Sequence, residues 1–307
     1  MIWLNKLIAL ILPLFPRSLV KLFAKQYIAG ETLEQALVKT IQLNREGLGV
    51  TLDLLGEDPG DKSDCTQALG VYEKAIEAIH AKGLNAGISL KPSHMGLKLD
   101  KGFCLANIRH LVGIAAQYHI FVRIDMEEAS MCQDTIDLFL PLHEKFPNVG
   151  LVIQAYLRRS IDDVTLLAGQ GANLRLCKGA YSWEGRQVAY KDSDIIIESY
   201  IYLLEKLFSR GCFVGIATHD ERLVFQSLAL IDRLGLSKKT YEFQMLFGVE
   251  EQLRQILFES GHPIRVYLPF GKEWFAYSLR RFRENPKMVG YILANTGNLL
   301  KTMVKKS

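Results

Sequence analysis

Eight apolar runs spaced along residues 48–271 restrict the folds open to this chain more than any other feature. They are LGVTLDLLGE (48–57), NAGISLKPS (85–93), IFVRIDME (120–127), VGLVIQAY (149–156), NLRLCKGAY (173–181), FVGIATHD (213–220), TYEFQMLFG (240–248) and IRVYLPFG (264–271). All are rich in Val, Ile, Leu and Phe, which suits parallel strands covered on both faces. Helical periodicity fills the intervals. DCTQALGVYEKAIEAIHAKG sets Leu69, Tyr72, Ile76 and Ile79 on one stripe and closes on Gly83, and two later segments close on Gly211 and Gly235. Strands alternating with helices eight times over make a (β/α)8 TIM barrel of the α/β class. An open doubly wound sheet is the main competitor, but it carries a glycine-rich first turn, and no GxGxxG is present. The strand-like pattern begins at about residue 46. The expected organisation is therefore an N-terminal helical segment, 1–46, and a barrel domain, 47–307, with no linker inside it.

The 307 residues, 49% hydrophobic and 23% charged, suit one large soluble domain or two small ones. A net charge of +4 with no Lys/Arg block gives no sign of a nucleic-acid partner. The five cysteines have neither metal-ligand nor CxxC spacing, which points to a reducing, cytoplasmic setting. The N-terminal MIWLNKLIALILPLF is broken by Pro13 and Pro16, too short for the ~20 residues of a membrane span, and no small-x-small cleavage site follows it. In the next stretch, Leu19, Val20, Leu22, Phe23 and Tyr27 interleave with Arg17, Lys21 and Lys25. That is a basic amphipathic helix, able either to pack on the domain or to lie on an anionic membrane surface.

Barrel active sites collect at the C-terminal ends of the strands. Those ends carry Lys91; Asp125 and Glu127; Gln154 and Tyr156; Arg175, Lys178 and Tyr181; Thr218, His219 and Asp220; Gln244; and Tyr267. For any one of these charges a structural ion pair is the plain reading. A polar ring repeated on nearly every strand is harder to explain that way. The ring is cationic and holds a single histidine, so it suits an anionic ligand or a phosphorylated cofactor rather than a metal. Lys91 or Lys178 also fits an imine-forming lysine, provided its surroundings keep it neutral. After the eighth strand, YSLRRFREN continues a helix that Pro286 stops. Arg280 and Glu284 are an i,i+4 pair, and should this helix cross the barrel mouth, Arg280 and Arg281 could grip one carboxylate.

The motifs ISLKPS, RIDME, RLCKGAY, GIATHD, YEFQMLFGV, RVYLPFG and YSLRRFRENP, in this order and spacing, closely resemble the proline dehydrogenase family in its monofunctional bacterial form, from about Tyr27 to Pro286. The resemblance implies a distorted (β/α)8 barrel with non-covalent FAD. It also implies oxidation of L-proline to Δ1-pyrroline-5-carboxylate by hydride transfer to flavin N5, with electrons passed to a membrane quinone, as the first step of proline catabolism to glutamate. Met126, Gln154, Arg175, Lys178, Gly179, Ala180, Thr218 and His219 would hold FAD, with Tyr181 beside it. Lys91, Arg280 and Arg281 would bind the proline carboxylate, Glu284 would hold an arginine in place, and Tyr267, Tyr277 and Leu246 would line the ring. Asp125 would pair with Lys91. Asp125 and Arg175 are the candidate catalytic pair, Arg175 favouring reduced flavin and Asp125 not acting as a general base. A quinone acceptor would give the N-terminal segment, residues 1–27, a use as a peripheral contact on the inner face of the cell membrane.

Overall fold

Eight parallel strands close on themselves in sequential order: β1 (Gly49–Leu54), β2 (Ala86–Leu90), β3 (Val122–Ile124), β4 (Val149–Gln154), β5 (Asn173–Cys177), β6 (Val214–Ala217), β7 (Tyr241–Leu246) and β8 (Ile264–Phe270). The structure is a computed structural model that describes residue 24 and residues 26–56, 59–180, 184–275 and 277–279. The helices are α1 (Leu33–Arg45), α2 (Lys62–Ala81), α3 (Lys101–Gln117), α4 (Cys132–His143), α5 (Ser160–Gly169), α6 (Ser193–Ser209), α7 (Glu221–Arg233) and α8 (Glu251–Glu259). Each of the eight apolar runs contains one strand, and the α/β barrel expected from their alternation is the fold observed. On α2 the buried stripe includes Tyr72, Ile76 and Ile79. Gly83 follows its end at φ +58°, a left-handed position that glycine takes without strain.

The hydrophobic core lies between strands and helices, not inside the barrel. Outward side chains such as Val50, Leu52, Ile88, Leu90, Ile124, Leu174, Leu176, Ile216, Phe243 and Val266 are buried under the helices. The residues alternating with them face inward and are polar on most strands: Thr51 and Asp53, Ser89, Arg123, Gln154, Arg175, Glu242 and Gln244, Arg265 and Tyr267. Glycines make room for the longest of these. A Cβ on Gly150 would come within 2.6 Å of the Asn173 carbonyl and also collide with Arg123, and one on Gly49 would meet Arg265 at 3.3 Å.

One helix alters the regular plan. The helix after β8 of an ordinary barrel covers the seam between β8 and β1. Here α1, which precedes β1, packs on both of those strands. The chain leading into it is tied to the end of β8, where Ala29 N donates to Pro269 O at 2.8 Å and Gly271 N to Gly30 O at 3.0 Å. The seam is thus filled from the N-terminal side of the barrel. Of the residues described after β8, Trp274, Tyr277 and Ser278 are buried.

Candidate active site

At the C-terminal mouth, side chains from β1, β2, β3, β5, β7 and β8 join one network. Asp125, just past β3, accepts from Arg175 Nη1 at 2.8 Å, Ser89 Oγ at 2.7 Å and Tyr267 OH at 2.9 Å. Arg175 also donates through Nε to Gln244 Oε1, and its guanidinium lies 5.0 Å from the centre of the Tyr267 ring. Its remaining nitrogen, Nη2, makes no hydrogen bond among the described residues. Burial, then the charges of Asp125 and Asp53, pushes the Tyr267 phenol well above its ordinary value. It therefore stays a neutral hydroxyl that donates to Asp125.

Lys91 Nζ donates to Asp53 Oδ1 at 2.6 Å, with only 11% and 2% of the two side chains exposed. Burial raises the Asp53 carboxyl, and the Lys91 charge opposes that rise. Lys91 therefore pairs with Asp53 and not with the expected Asp125. The signal was present, since a lone carboxylate interrupts an otherwise apolar strand in VTLDLL, in phase with inward-facing Thr51. Ser89 and Glu242 likewise stand in phase with inward-facing residues of their strands, and both join the network.

The β4–β6 side of the mouth is built differently. Gln154 is buried and donates through Nε2 to Glu127 O at 2.7 Å, next to buried Met126. Glu127 in turn accepts from Ser93 N at 2.8 Å and Ser93 Oγ at 2.5 Å, which fixes the turn after Lys91. After β5, Gly179 adopts φ +116° and lies so close to Tyr156 that a Cβ there would enter the Tyr156 ring. Only glycine lets the Lys178–Ala180 backbone lie this flat. Lys178 pairs with Asp220, whose other oxygen caps α7 by accepting from Arg222 N at 2.9 Å. Burial pushes the Asp220 carboxyl up, but Lys178 and the helix amides together hold it below its usual value. Thr218 is buried beside it. His219 Nε2 accepts from Leu246 N at 2.8 Å, so its ring proton lies on Nδ1.

The mouth thus brings together Lys91, Asp125, Met126, Gln154, Arg175, Lys178, Gly179, Thr218, His219, Leu246 and Tyr267, with exposed Ala180 at its edge. Tyr277 is buried in the first turn after β8. Tyr181, Arg280, Arg281 and Glu284 lie outside the described residues. Both lysines considered for imine chemistry sit against carboxylates, Lys91 on Asp53 and Lys178 on Asp220, not in the apolar or cationic surroundings that chemistry needs. No group of three or more His, Cys, Asp or Glu is placed to hold a metal among the described residues.

The family model described as "Proline dehydrogenase" matches residues 36–292 of this chain. The chain belongs to the proline dehydrogenase family. Among its relatives, Proline dehydrogenase 1 of Bacillus subtilis (strain 168) is 36% identical over 289 residues, covering 93% of this chain and 92% of that protein. The proline dehydrogenase of Deinococcus radiodurans is 35% identical over 275 residues, 88% of each chain. The Bifunctional protein PutA of Salmonella typhimurium is 29% identical over 322 residues, covering 89% of this chain but 24% of its own length. A solved structure of proline utilization A from Bdellovibrio bacteriovorus superposes with a TM-score of 0.80 at 23% identity. The match covers 86% of this chain and 32% of that one, and it establishes a shared barrel fold for this proline dehydrogenase family member.

Proposed function

We propose that this chain oxidises L-proline to Δ1-pyrroline-5-carboxylate with non-covalently bound FAD, passes the electrons to a membrane quinone, and so opens proline catabolism to glutamate. The observation that supports the reading is the Asp125–Arg175–Tyr267 cluster, with Arg175 buried and its two partners half-buried at the mouth of a barrel matched along most of its length by the proline dehydrogenase family model.

The residues present fit a flavin dinucleotide. Arg175 keeps a guanidinium nitrogen without a partner among the described residues. The Lys178–Ala180 backbone is bare of side-chain bulk at Gly179, and Lys178 supplies a cation. Such donors suit a pyrophosphate and the acceptor edge of a heterocycle. Met126, Gln154, Arg175, Lys178, Gly179, Ala180, Tyr181, Thr218 and His219 would hold the cofactor. When bound, it supplies the two-electron acceptor that no side chain can provide.

The chain's own residues bind and orient. Arg280 and Arg281 would clamp the substrate carboxylate, with Lys91 beside them and Glu284 steadying one arginine. Tyr267, Tyr277 and Leu246 would enclose the pyrrolidine ring and keep water from it. Arg175 brings positive charge to the site where electron density arrives. Asp125 accepts three hydrogen bonds, which fits a group that aligns Arg175 and Tyr267 rather than one that removes a proton. The substrate amine accordingly binds neutral.

For the membrane contact, Ala24 and Tyr27 are buried against the barrel, so a surface-seeking part of residues 1–27 falls before residue 24. No helix among the described residues is long and apolar enough to cross a membrane. We place the enzyme in the cytoplasm, peripheral at the inner face.

Purified protein should carry flavin absorbance that bleaches with L-proline under anaerobic conditions and returns with a quinone. A colourless protein, or flavin indifferent to proline, overturns the reading. Arg281→Met should raise the proline KM by the equivalent of about 2–5 kcal/mol with FAD retained. An unchanged KM removes the arginine pair from the substrate site.

A further inference from the structure

Below Arg175 a chain of hydrogen bonds descends towards the barrel floor. Arg175 Nε donates to Gln244 Oε1. Gln244 Nε2 donates to Glu242 Oε1 at 2.7 Å. Arg265 Nε donates to the same Oε1 at 2.7 Å, and Arg265 Nη1 is anchored on Val50 O at 3.0 Å. Gln244 is buried in a slot that β6 leaves open only because Gly215 lacks a side chain, since a Cβ there would run into the amide.

We propose that Glu242 is a positioning residue for proline oxidation, acting on Arg175 through the Gln244 amide. An amide can face either way, because its oxygen and nitrogen are nearly the same size. Glu242 removes that freedom. A carboxylate held by Arg265 accepts, so Gln244 must turn its NH2 group downward and its carbonyl upward. Arg175 Nε can only donate, and it meets that carbonyl. With Nε held by Gln244 and Nη1 by Asp125, the plane of the guanidinium is fixed and Nη2 is aimed. Without Glu242 the amide is free to turn its NH2 group towards Arg175. Donor then faces donor, and the guanidinium swings away.

The inference rests on the flavin reading above, and its test separates the two. Glu242→Met removes the acceptor, whereas Glu242→Gln keeps an oxygen in the same place. Glu242→Met should lower kcat by up to about 10²-fold, the effect of a displacement of roughly 1 Å at a reacting site, with the proline KM moved less. It should also shift the FAD midpoint potential, measured without proline, to a more negative value. Glu242→Gln should restore most of both. Wild-type kcat and potential in Glu242→Met overturn the proposal, and so does a Glu242→Gln variant as impaired as Glu242→Met. Should Glu242→Met fail to fold, Gln244→Met is expected to show the same two losses, and wild-type values there overturn it. A crystal structure of the Met variant, whichever folds, should show the Arg175 guanidinium turned from its wild-type plane. That readout holds whether or not the chain oxidises proline, and an unmoved guanidinium sinks the proposal.

Discussion

Arg123 at the floor of the barrel and Arg175 near its mouth are the same residue in the same interior, yet their partners differ in kind. Arg123 Nη1 donates to the backbone carbonyls of Asn173 at 2.7 Å and Leu151 at 3.0 Å, and Nη2 to Asn173 Oδ1 at 2.5 Å. It lies 4.8 Å from the Phe121 ring centre, and burial, with the Arg175 charge next, pushes its guanidinium well below the usual value. Arg175 instead meets side chains from β2, β3, β7 and β8 and keeps one nitrogen open among the described residues. A charge tied to main-chain carbonyls is part of the wall. One held by other side chains at the mouth is placed to meet a ligand there, whereas the spare Nε of Arg123 is buried in the wall. Partner and depth, not residue type, set these two charges apart in this barrel.

Arg175→Met should give the largest effect, a fall in kcat/KM of about 10²–10³, comparable to losing one preorganised donor, with the chain still folded by circular dichroism. Arg123→Met should do the reverse. It takes the donor from Asn173 Oδ1 and a second hydrogen bond from the Asn173 and Leu151 carbonyls, at about 1–3 kcal/mol for the side-chain oxygen left without its donor, while the folded fraction turns over proline normally. Turnover lost from fully folded Arg123→Met would break the comparison. Also on the floor side, His119 follows α3 at φ +55°, a left-handed position. His119→Gly should raise stability by about 0.5–1 kcal/mol in urea melts and leave kinetics untouched.

The smallest effect belongs to Asp220 at the mouth. Its folded pKa is lowered from 3.8, so the stability it contributes is present above that value and is lost as pH falls through the lower folded one. Asp220→Asn should flatten the acid limb of a Tm-against-pH curve below about pH 4 and loosen Lys178. An identical acid limb would show that the Lys178–Asp220 pair is too solvated to matter.

The sequence by itself determined the barrel. Strand and helix periods are local properties of consecutive residues, and eight alternations leave little choice of topology. It also put Lys91, Asp125, Gln154, Arg175, Thr218, His219, Gln244 and Tyr267 at one end, because direction along a parallel strand is known once the strand is. Only the tertiary structure decided which charge meets which. Lys91 takes Asp53, 38 residues away, and Asp125 takes Arg175, 50 residues away. Those pairings follow from the stagger of strands around a closed barrel, which no single strand records. The same closure left the β8–β1 seam to α1. It also carried polar side chains down the lumen below the strand ends, because alternate residues on each strand face opposite environments and only the outer set lies against the helices.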